Sequence, residues 1–344
     1  MSMKAKKILG AFVISLPIAL SVFFAAVLVS AIGYRPEEPV PTEEAGEEVS
    51  QNSAPAPILI LGLDAVSEST DVMMLFTADE KTQSASLLRL PRDTYAEIGT
   101  GKEGERKAVK LNSLYARARA AGKTPEESAR AVCSFLSKNL GIGVKDYVLT
   151  DLEGFRKTVD LLGGIPITLK NDMDYDDDAQ DLHIHLRAGT QTLNGEQAEG
   201  YVRFRSGYAR GDLGRLEAQE PFLSGAFAAA KKSLSSPAAL FSLLPVILKN
   251  VKTSLSLPAV IALVRRTLTI GKESLSFPIL PGGAVKEEAS GAWYYVMNRD
   301  AAKALFSPLS PDNEGSTFDP NGIFGSRASL EIRSVYGADR KQYE

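Results

Sequence analysis

The sequence predicts a layered α/β sandwich, and three observations carry that reading. Short apolar runs of strand character (residues 58–63, 71–76, 85–90, 147–149 and 165–169) are interleaved with segments of helical periodicity. Those helical segments bring their own start and stop signals. The 344 residues, 44% hydrophobic and 24% charged, suffice for a globular domain with a sizeable core.

A different element precedes the sandwich. From Ile8 to Tyr34 there is no charged residue, and about 20 apolar residues cross a bilayer, with Pro17 tolerated in the span. Lys4, Lys6 and Lys7 precede this run and six glutamates follow it among residues 36–57. That asymmetry puts residues 1–7 in the cytoplasm and everything after the helix outside. Val29-Ser30-Ala31 offers small residues for a cleaved signal peptide. Signal h-regions, however, stop at about 15 residues, so an uncleaved single-pass anchor over 8–34 is favoured. Residues 35–57, with five prolines in 36–57, read as a stiffened, disordered tether. The folded domain is expected over 58–309, and 310–344, poor in apolar residues, as a loosely ordered tail.

Along the domain, the run from Ile58 ends in Asp64, and Asp71 opens the second strand. Pro91-Arg92-Asp93 ends the third, because proline cannot continue a ladder. Gly99, Gly101 and Gly104 spell GxGxxG, but no apolar helix follows as a dinucleotide site requires, so a loop is expected. Thr124-Pro125-Glu126-Glu127 is a capping box with proline at the first helical position, and Gly141 is the stop. Ala131, Phe135, Leu136 and Leu140 supply the apolar stripe of that helix. Cys133, the single cysteine, falls on its apolar face as a buried structural thiol. A lone cysteine excludes an intramolecular disulfide and a cysteine zinc cluster.

A helix over 151–162 is closed by Gly163-Gly164 before the strand Ile165–Leu169. The acidic stretch Asp172–Asp178 suggests a calcium loop, yet Asp177 stands where glycine is needed and His183 where the closing glutamate belongs. A solvated turn leading into a strand is expected instead. His183 and His185, the two histidines of the chain, share one face of that strand. Catalytic zinc needs three protein ligands, so an Asp would have to be the third. Helices are expected to about Ser235, with Phe222 and Phe227 on the apolar side, then over 237–250 and 258–269. Leu275–Leu280 and Trp293–Met297 read as closing strands.

The stretch Asn194–Arg215 needs a functional reading, since it holds Arg203, Arg205, Arg210 and Arg215. If VRFR is extended, Val202 and Phe204 take one side and Arg203 with Arg205 the other. Two guanidiniums about 7 Å apart match the phosphates of a diphosphate. A solvated polar face paired with nearby acids is the alternative. The net charge of −3 gives no reason to expect nucleic acid, so any anion site must be local. Neighbouring strands can bring Asp64, Asp71, Arg89, Arg92 and Asp93 together beside these arginines. Two carboxylates suit magnesium, which fills the rest of its shell with waters and substrate phosphates. On a membrane-tethered domain this pattern points to phosphoryl transfer on a phosphorylated lipid.

The segments ILILGLD, DVMML, LPRDTYAEI, KLNSLYA, NDMDYDDD, LHIHLRAGTQTLNGEQAEGYVRFR and GDLGR stand in the order seen in the LytR-CpsA-Psr family. The chain resembles that family strongly over about residues 58–220 and more loosely through the following helices. Its members are membrane-anchored enzymes that attach glycopolymers to the bacterial cell wall. The resemblance implies a three-layer αβα sandwich with a central mixed sheet and a deep apolar pocket for a polyprenyl chain. It implies that Arg92, Arg203, Arg205 and Arg215 grip the diphosphate, that Asp64 and Asp71 hold Mg2+, and that Asp71, Arg92, Arg203 and Arg205 carry catalysis. The implied reaction moves a phosphoglycosyl polymer from undecaprenyl diphosphate to a peptidoglycan hydroxyl and releases undecaprenyl phosphate. Three departures from the family pattern bear on polymer preference. Val72 replaces a Ser or Thr, Ala218 replaces an Arg, and Arg89 replaces a Ser, which adds a phosphate contact. Two other functions stay open: hydrolysis of the polyprenyl diphosphate, and a non-catalytic module that binds lipid-linked glycan or regulates the envelope. The lack of GxSxG and the presence of only two histidines argue against a serine hydrolase.

Overall fold

Strand β1 (Ile58–Leu63) sits inside a six-stranded sheet with β2 (Thr70–Asp79), β3 (Ser84–Arg89), β6 (Asp146–Thr150), β11 (Val251–Thr253) and β12 (Leu275–Ser276). Their order is β11-β6-β1-β2-β3-β12. The β1–β6 and β3–β12 pairs are parallel and the rest antiparallel, so the sheet is mixed. The computed structural model describes residues 56–63, 69–99, 106–178, 182–204, 212–233, 251–287 and 290–306. The expected membrane helix over 8–34, nearly all of the tether, the helix over 237–250 and the tail from 310 lie outside the described residues. Among those described, no helix is long and apolar enough to cross a membrane.

Both faces of the sheet are buried, as the continuous apolar runs of β1 and β2 require. Ile58, Ile60, Val72, Met74 and Phe76 point to one side, and Leu59, Leu61, Met73 and Leu75 to the other. The second side is covered by α1 (Ser113–Ala120) and α2 (Pro125–Leu140), which contribute Leu114, Tyr115, Val132, Cys133, Leu136 and Leu140. The first is covered by α3 (Leu152–Leu161), α4 (Gly195–Arg203), α6 (Glu220–Ser233) and α7 (Leu257–Thr269). Phe155, Val159, Tyr201, Val202, Phe222, Phe227 and Leu263 fill that layer. Burying each such side chain stabilises by about 1.5–3 kcal/mol. Tyr201 stacks on Phe222 at 5.5 Å between centroids, and its hydroxyl donates to the Ala218 carbonyl at the end of α5 (Asp212–Ala218).

Local signals place the helices. Thr124 Oγ1 accepts from Glu127 N at 3.2 Å and Glu127 Oε2 from Thr124 N at 2.8 Å, and Gly141 closes α2 at φ 67°. The buried stripe of α2 runs through Val132, Cys133, Leu136 and Leu140, with Phe135 partly buried at its margin. Asp151 caps α3 by accepting from Gly154 N. Gly164, at φ 86°, lets the chain reverse against β10 (Gly189–Leu193), where a Cβ would lie 2.8 Å from the Leu193 carbonyl oxygen.

Several expectations are corrected. VRFR is not extended: Val202 and Arg203 end helix α4, and Phe204 leaves it at φ −60°, ψ 131°. The cause is a second capping box, Asn194 with Gln197, followed by Ala198, Tyr201 and Val202 at helical spacing onto the core. The acidic stretch is a strand rather than a turn. β8 (Met173–Asp177) pairs antiparallel with β9 (Leu182–Leu186), because Met173 and Tyr175 alternate inward against the core. β7 (Ile165–Leu169) leaves the central sheet to pair with β10. Leu275–Leu280 shrinks to the two residues of β12, with Pro278 and Pro281 bounding an isolated bridge at Ile279. The glycine-rich stretch begins at Gly99, the end of β4 (Tyr95–Gly99), which pairs with β5 (Arg106–Lys110). Its Gly101 and Gly104 lie outside the described residues. β13 (Gly282–Lys286) and β14 (Trp293–Met297) form a separate ribbon, followed by α8 (Arg299–Ala304).

Candidate active site

Asp71 is the second residue of β2 and is 5% exposed. Its neighbours are set by the turn after β3. The Thr94 hydroxyl and amide both donate to the Pro91 carbonyl, at 2.6 and 3.0 Å, and fold Arg92 back beside β2. Arg92 Nη1 then lies 3.6 Å from Asp71 Oδ1. Asn112, between β5 and α1, holds both parts. Its amide donates to the Arg92 carbonyl at 3.1 Å, its carbonyl accepts from the Thr70 amide and hydroxyl, and its Nδ2 reaches Asp71 Oδ1 at 3.4 Å. Asn112 was not singled out as a site residue, although it stands in KLNSLYA. Asp93 turns away to Lys110, 2.9 Å from its Nζ.

A second group is built on α4 and α5. Arg203 Nη1 donates to Glu199 Oε1, one turn earlier, at 2.6 Å. The other oxygen of Glu199 accepts from Arg156 Nε on α3. Glu199 also escaped the sequence reading, and its signal was the i, i+4 spacing to Arg203 once α4 is known to be a helix. Arg215 on α5 is 2% exposed and among the largest fully buried side chains.

Arg89 ties the end of β3 to α5. From the end of β3 its guanidinium donates to the carbonyls of Leu216, next to Arg215, and of Phe277, and lies 3.6 Å from Glu220. An open groove of about 460 Å³ starts at these partners and is also lined by Glu217, Ser224 and Lys272. The expected phosphate contact of Arg89 thus meets a guanidinium already held by backbone oxygens.

Burying a charge is costly unless it is paired. The buried charged residues among the described ones are Arg89, Arg92, Arg203, Arg215, Asp71 and Glu199. They stand at the start of β2, at and just after the end of β3, and on α4 and α5, four arginines to two acids. Asn112, Glu199 and backbone carbonyls hold the polar side chains of this set in place. Asp71 offers the hard carboxylate oxygen that magnesium accepts. Leu63, which precedes Asp64, pairs with Thr70, which precedes Asp71. Asp64, Arg205 and Arg210 themselves lie outside the described residues.

Known proteins share this architecture and sequence. The polyisoprenyl-teichoic acid–peptidoglycan teichoic acid transferase TagU of Bacillus anthracis (strain CDC 684 / NRRL 3495) is 34% identical over 261 residues, spanning 75% of this chain and 78% of its own length. The crystal structure of B. subtilis TagV matches with a TM-score of 0.59 at 23% identity, over 74% of this chain and 96% of that one. TagT bound to LI-WTA matches with a TM-score of 0.57 at 25% identity, over 73% and 88%. The LytR_cpsA_psr family model matches residues 30–310, and the chain belongs to the LytR-CpsA-Psr family.

Proposed function

We propose that the protein is a phosphotransferase that moves a glycopolymer from a polyprenyl diphosphate, undecaprenyl diphosphate in bacteria, to a hydroxyl of peptidoglycan. The observation that carries this reading is the set of four buried arginines, one of which, Arg92, faces the buried Asp71. Four buried guanidiniums suit a polyanion, and the diphosphate of a lipid-linked glycan is one. The resemblance adds Arg205 to the diphosphate grip of Arg92, Arg203 and Arg215. Arg89 contributes charge from behind and keeps α5, with Arg215, against the end of β3.

The chemistry balances without a further reactant. The acceptor oxygen attacks the phosphorus that bears the sugar, and the bond from that phosphorus to the oxygen bridging toward the lipid phosphate breaks. Polyprenyl phosphate leaves with the electron pair, while the arginines stabilise the charge that builds on the phosphoryl oxygens. Asp71, its carboxylate fixed by Arg92 and Asn112, orients the acceptor hydroxyl and takes its proton. Magnesium, held by Asp64 and Asp71, would supply Lewis-acid neutralisation of the diphosphate. The polyprenyl chain would take the apolar pocket that the family resemblance implies. The segment 8–34 anchors the domain outside the cytoplasmic membrane, within reach of that lipid.

The test uses the full chain in detergent or vesicles with a lipid-diphosphate glycan, magnesium and peptidoglycan fragments. Transfer predicts glycan covalently attached to peptidoglycan together with released polyprenyl phosphate. Polyprenyl phosphate and free phosphoglycan without attachment would show a hydrolase. Binding with no product would leave only the binding module.

A further inference from the structure

The β8–β9 ribbon carries a second cluster, remote in sequence from the phosphoryl-transfer residues. Its antiparallel register places Asp174 opposite His185 and Asp176 opposite His183. Leu182, Ile184 and Leu186 are buried on the inner face. Strand alternation therefore sends all four polar side chains to the outer face. There His183 Nδ1 lies 2.7 Å from Asp176 Oδ1, His185 Nδ1 lies 2.5 Å from Asp174 Oδ1, and His185 Nε2 lies 3.2 Å from Asp176 Oδ1. One donor atom from each of Asp174, Asp176 and His185 falls within 4.8 Å of the others. His183 and His185 are the two histidines of the whole chain, and both stand here.

We propose that Asp174, Asp176, His183 and His185 form a zinc site that staples strand β8 to strand β9. Sequence reasoning stopped at two imidazoles lacking a third ligand; the opposing strand provides two carboxylates. Bonds of about 2.0–2.2 Å in a tetrahedron put ligand atoms roughly 3.3–3.6 Å apart. Asp174, Asp176 and His185 already stand together, and His183 reaches the group through Asp176. Two imidazole nitrogens select a borderline metal over magnesium or calcium, which prefer all-oxygen shells. Two carboxylates with two neutral imidazoles also cancel the charge of a divalent ion. Four protein ligands leave no open position, so the role is structural rather than catalytic.

The staple has a purpose in the fold. The inner face of β9 supports α4, where a Cβ on Gly200 would sit 3.4 Å from the Ile184 side chain. α4 ends in Arg203. A metal that locks β9 to β8 therefore stiffens the support of that arginine from outside the site. The proposal does not depend on the transferase reading.

The probe is Zn2+ added to the full chain in detergent after removal of metals with a chelator. Competition with a chromophoric chelator should show zinc bound to the parent chain, and thermal melting should shift upward with Zn2+ but not with equal Mg2+ or Ca2+. Co2+ in place of Zn2+ should give the visible absorption of a tetrahedral centre. His183→Gln with His185→Gln should remove one bound equivalent of zinc and the melting shift. Asp174→Asn should weaken affinity by at least roughly tenfold. All four side chains are exposed, so these variants keep the core, and circular dichroism checks that they do. Asp71→Asn should leave this zinc equivalent in place. If the double histidine variant binds zinc with the parent's stoichiometry and affinity, or if the parent binds none, the site does not exist.

Discussion

Glu199 and Arg203 form a buried ion pair along one turn of α4, with Arg203 Nη1 2.6 Å from Glu199 Oε1 and both side chains 4% exposed. Arg156 on α3 shares the same carboxylate. The arrangement is asymmetric, because Glu199 has two cationic partners. Glu199→Ala removes a carboxylate shared by Arg203 and Arg156 and should destabilise the fold by about 3 kcal/mol, the scale of breaking a buried pair. Arg203→Ala leaves Glu199 paired with Arg156 and should cost visibly less. Urea unfolding of the two variants measures the difference, and equal losses would refute the asymmetric role of Glu199.

The arginine grip makes a separate prediction. Arg203→Ala or Arg205→Ala should weaken lipid-diphosphate binding by about 2–3 kcal/mol, as expected for charge-assisted hydrogen bonds. Lysine at either position should restore only part, because an ammonium lacks the planar fork. Titration with a soluble short-chain polyprenyl diphosphate gives the affinities. Parent-like binding by both alanine variants would remove these residues from the grip.

Asp71 should matter more to rate than to binding. Asp71→Asn preserves the volume between Arg92 and Asn112 but removes the charge beside the buried Arg92, so a stability loss of about 1–3 kcal/mol is expected with the fold retained. Turnover should fall at least about 100-fold, from loss of the proposed base and magnesium ligand. Transfer within threefold of the parent at saturating magnesium would instead favour the binding module.

Cys133 should be chemically silent while the fold is intact. Burial lifts its thiol to about 12 despite the opposing charge of Arg130, whereas an unfolded thiol titrates near ~8.5. Between those values the unfolded chain gives up a proton that the folded chain retains. Stability should therefore fall as pH rises through that window. Cys133→Ala should flatten that part of the pH–stability curve. A thiol reagent should label the protein quickly only after denaturation, and rapid labelling of the native chain would contradict the burial.

The sequence by itself determined the elements whose signals are local. Thr124 and Glu127 announced α2, Asp151 announced α3, and the apolar runs at Ile58, Asp71 and Ala85 announced adjacent strands. A chemistry-rich edge was also legible, because Asp71 opens β2 and Pro91 ends the strand before Arg92. Other features were decided only by the tertiary structure. Local alternation made VRFR look extended, while burial of Ala198, Tyr201 and Val202 against the core made Val202 and Arg203 helical and turned Arg203 toward Glu199. The part played by Asn112 needed β2 and the turn after β3 to meet, and that of Arg89 needed α5 and Phe277 to approach β3. Likewise, Asp174 and Asp176 became partners of two histidines only through the β8–β9 register. Capping and strand patterns act over a few residues and are written into the chain, whereas buried charges find their partners through contacts between segments far apart along it.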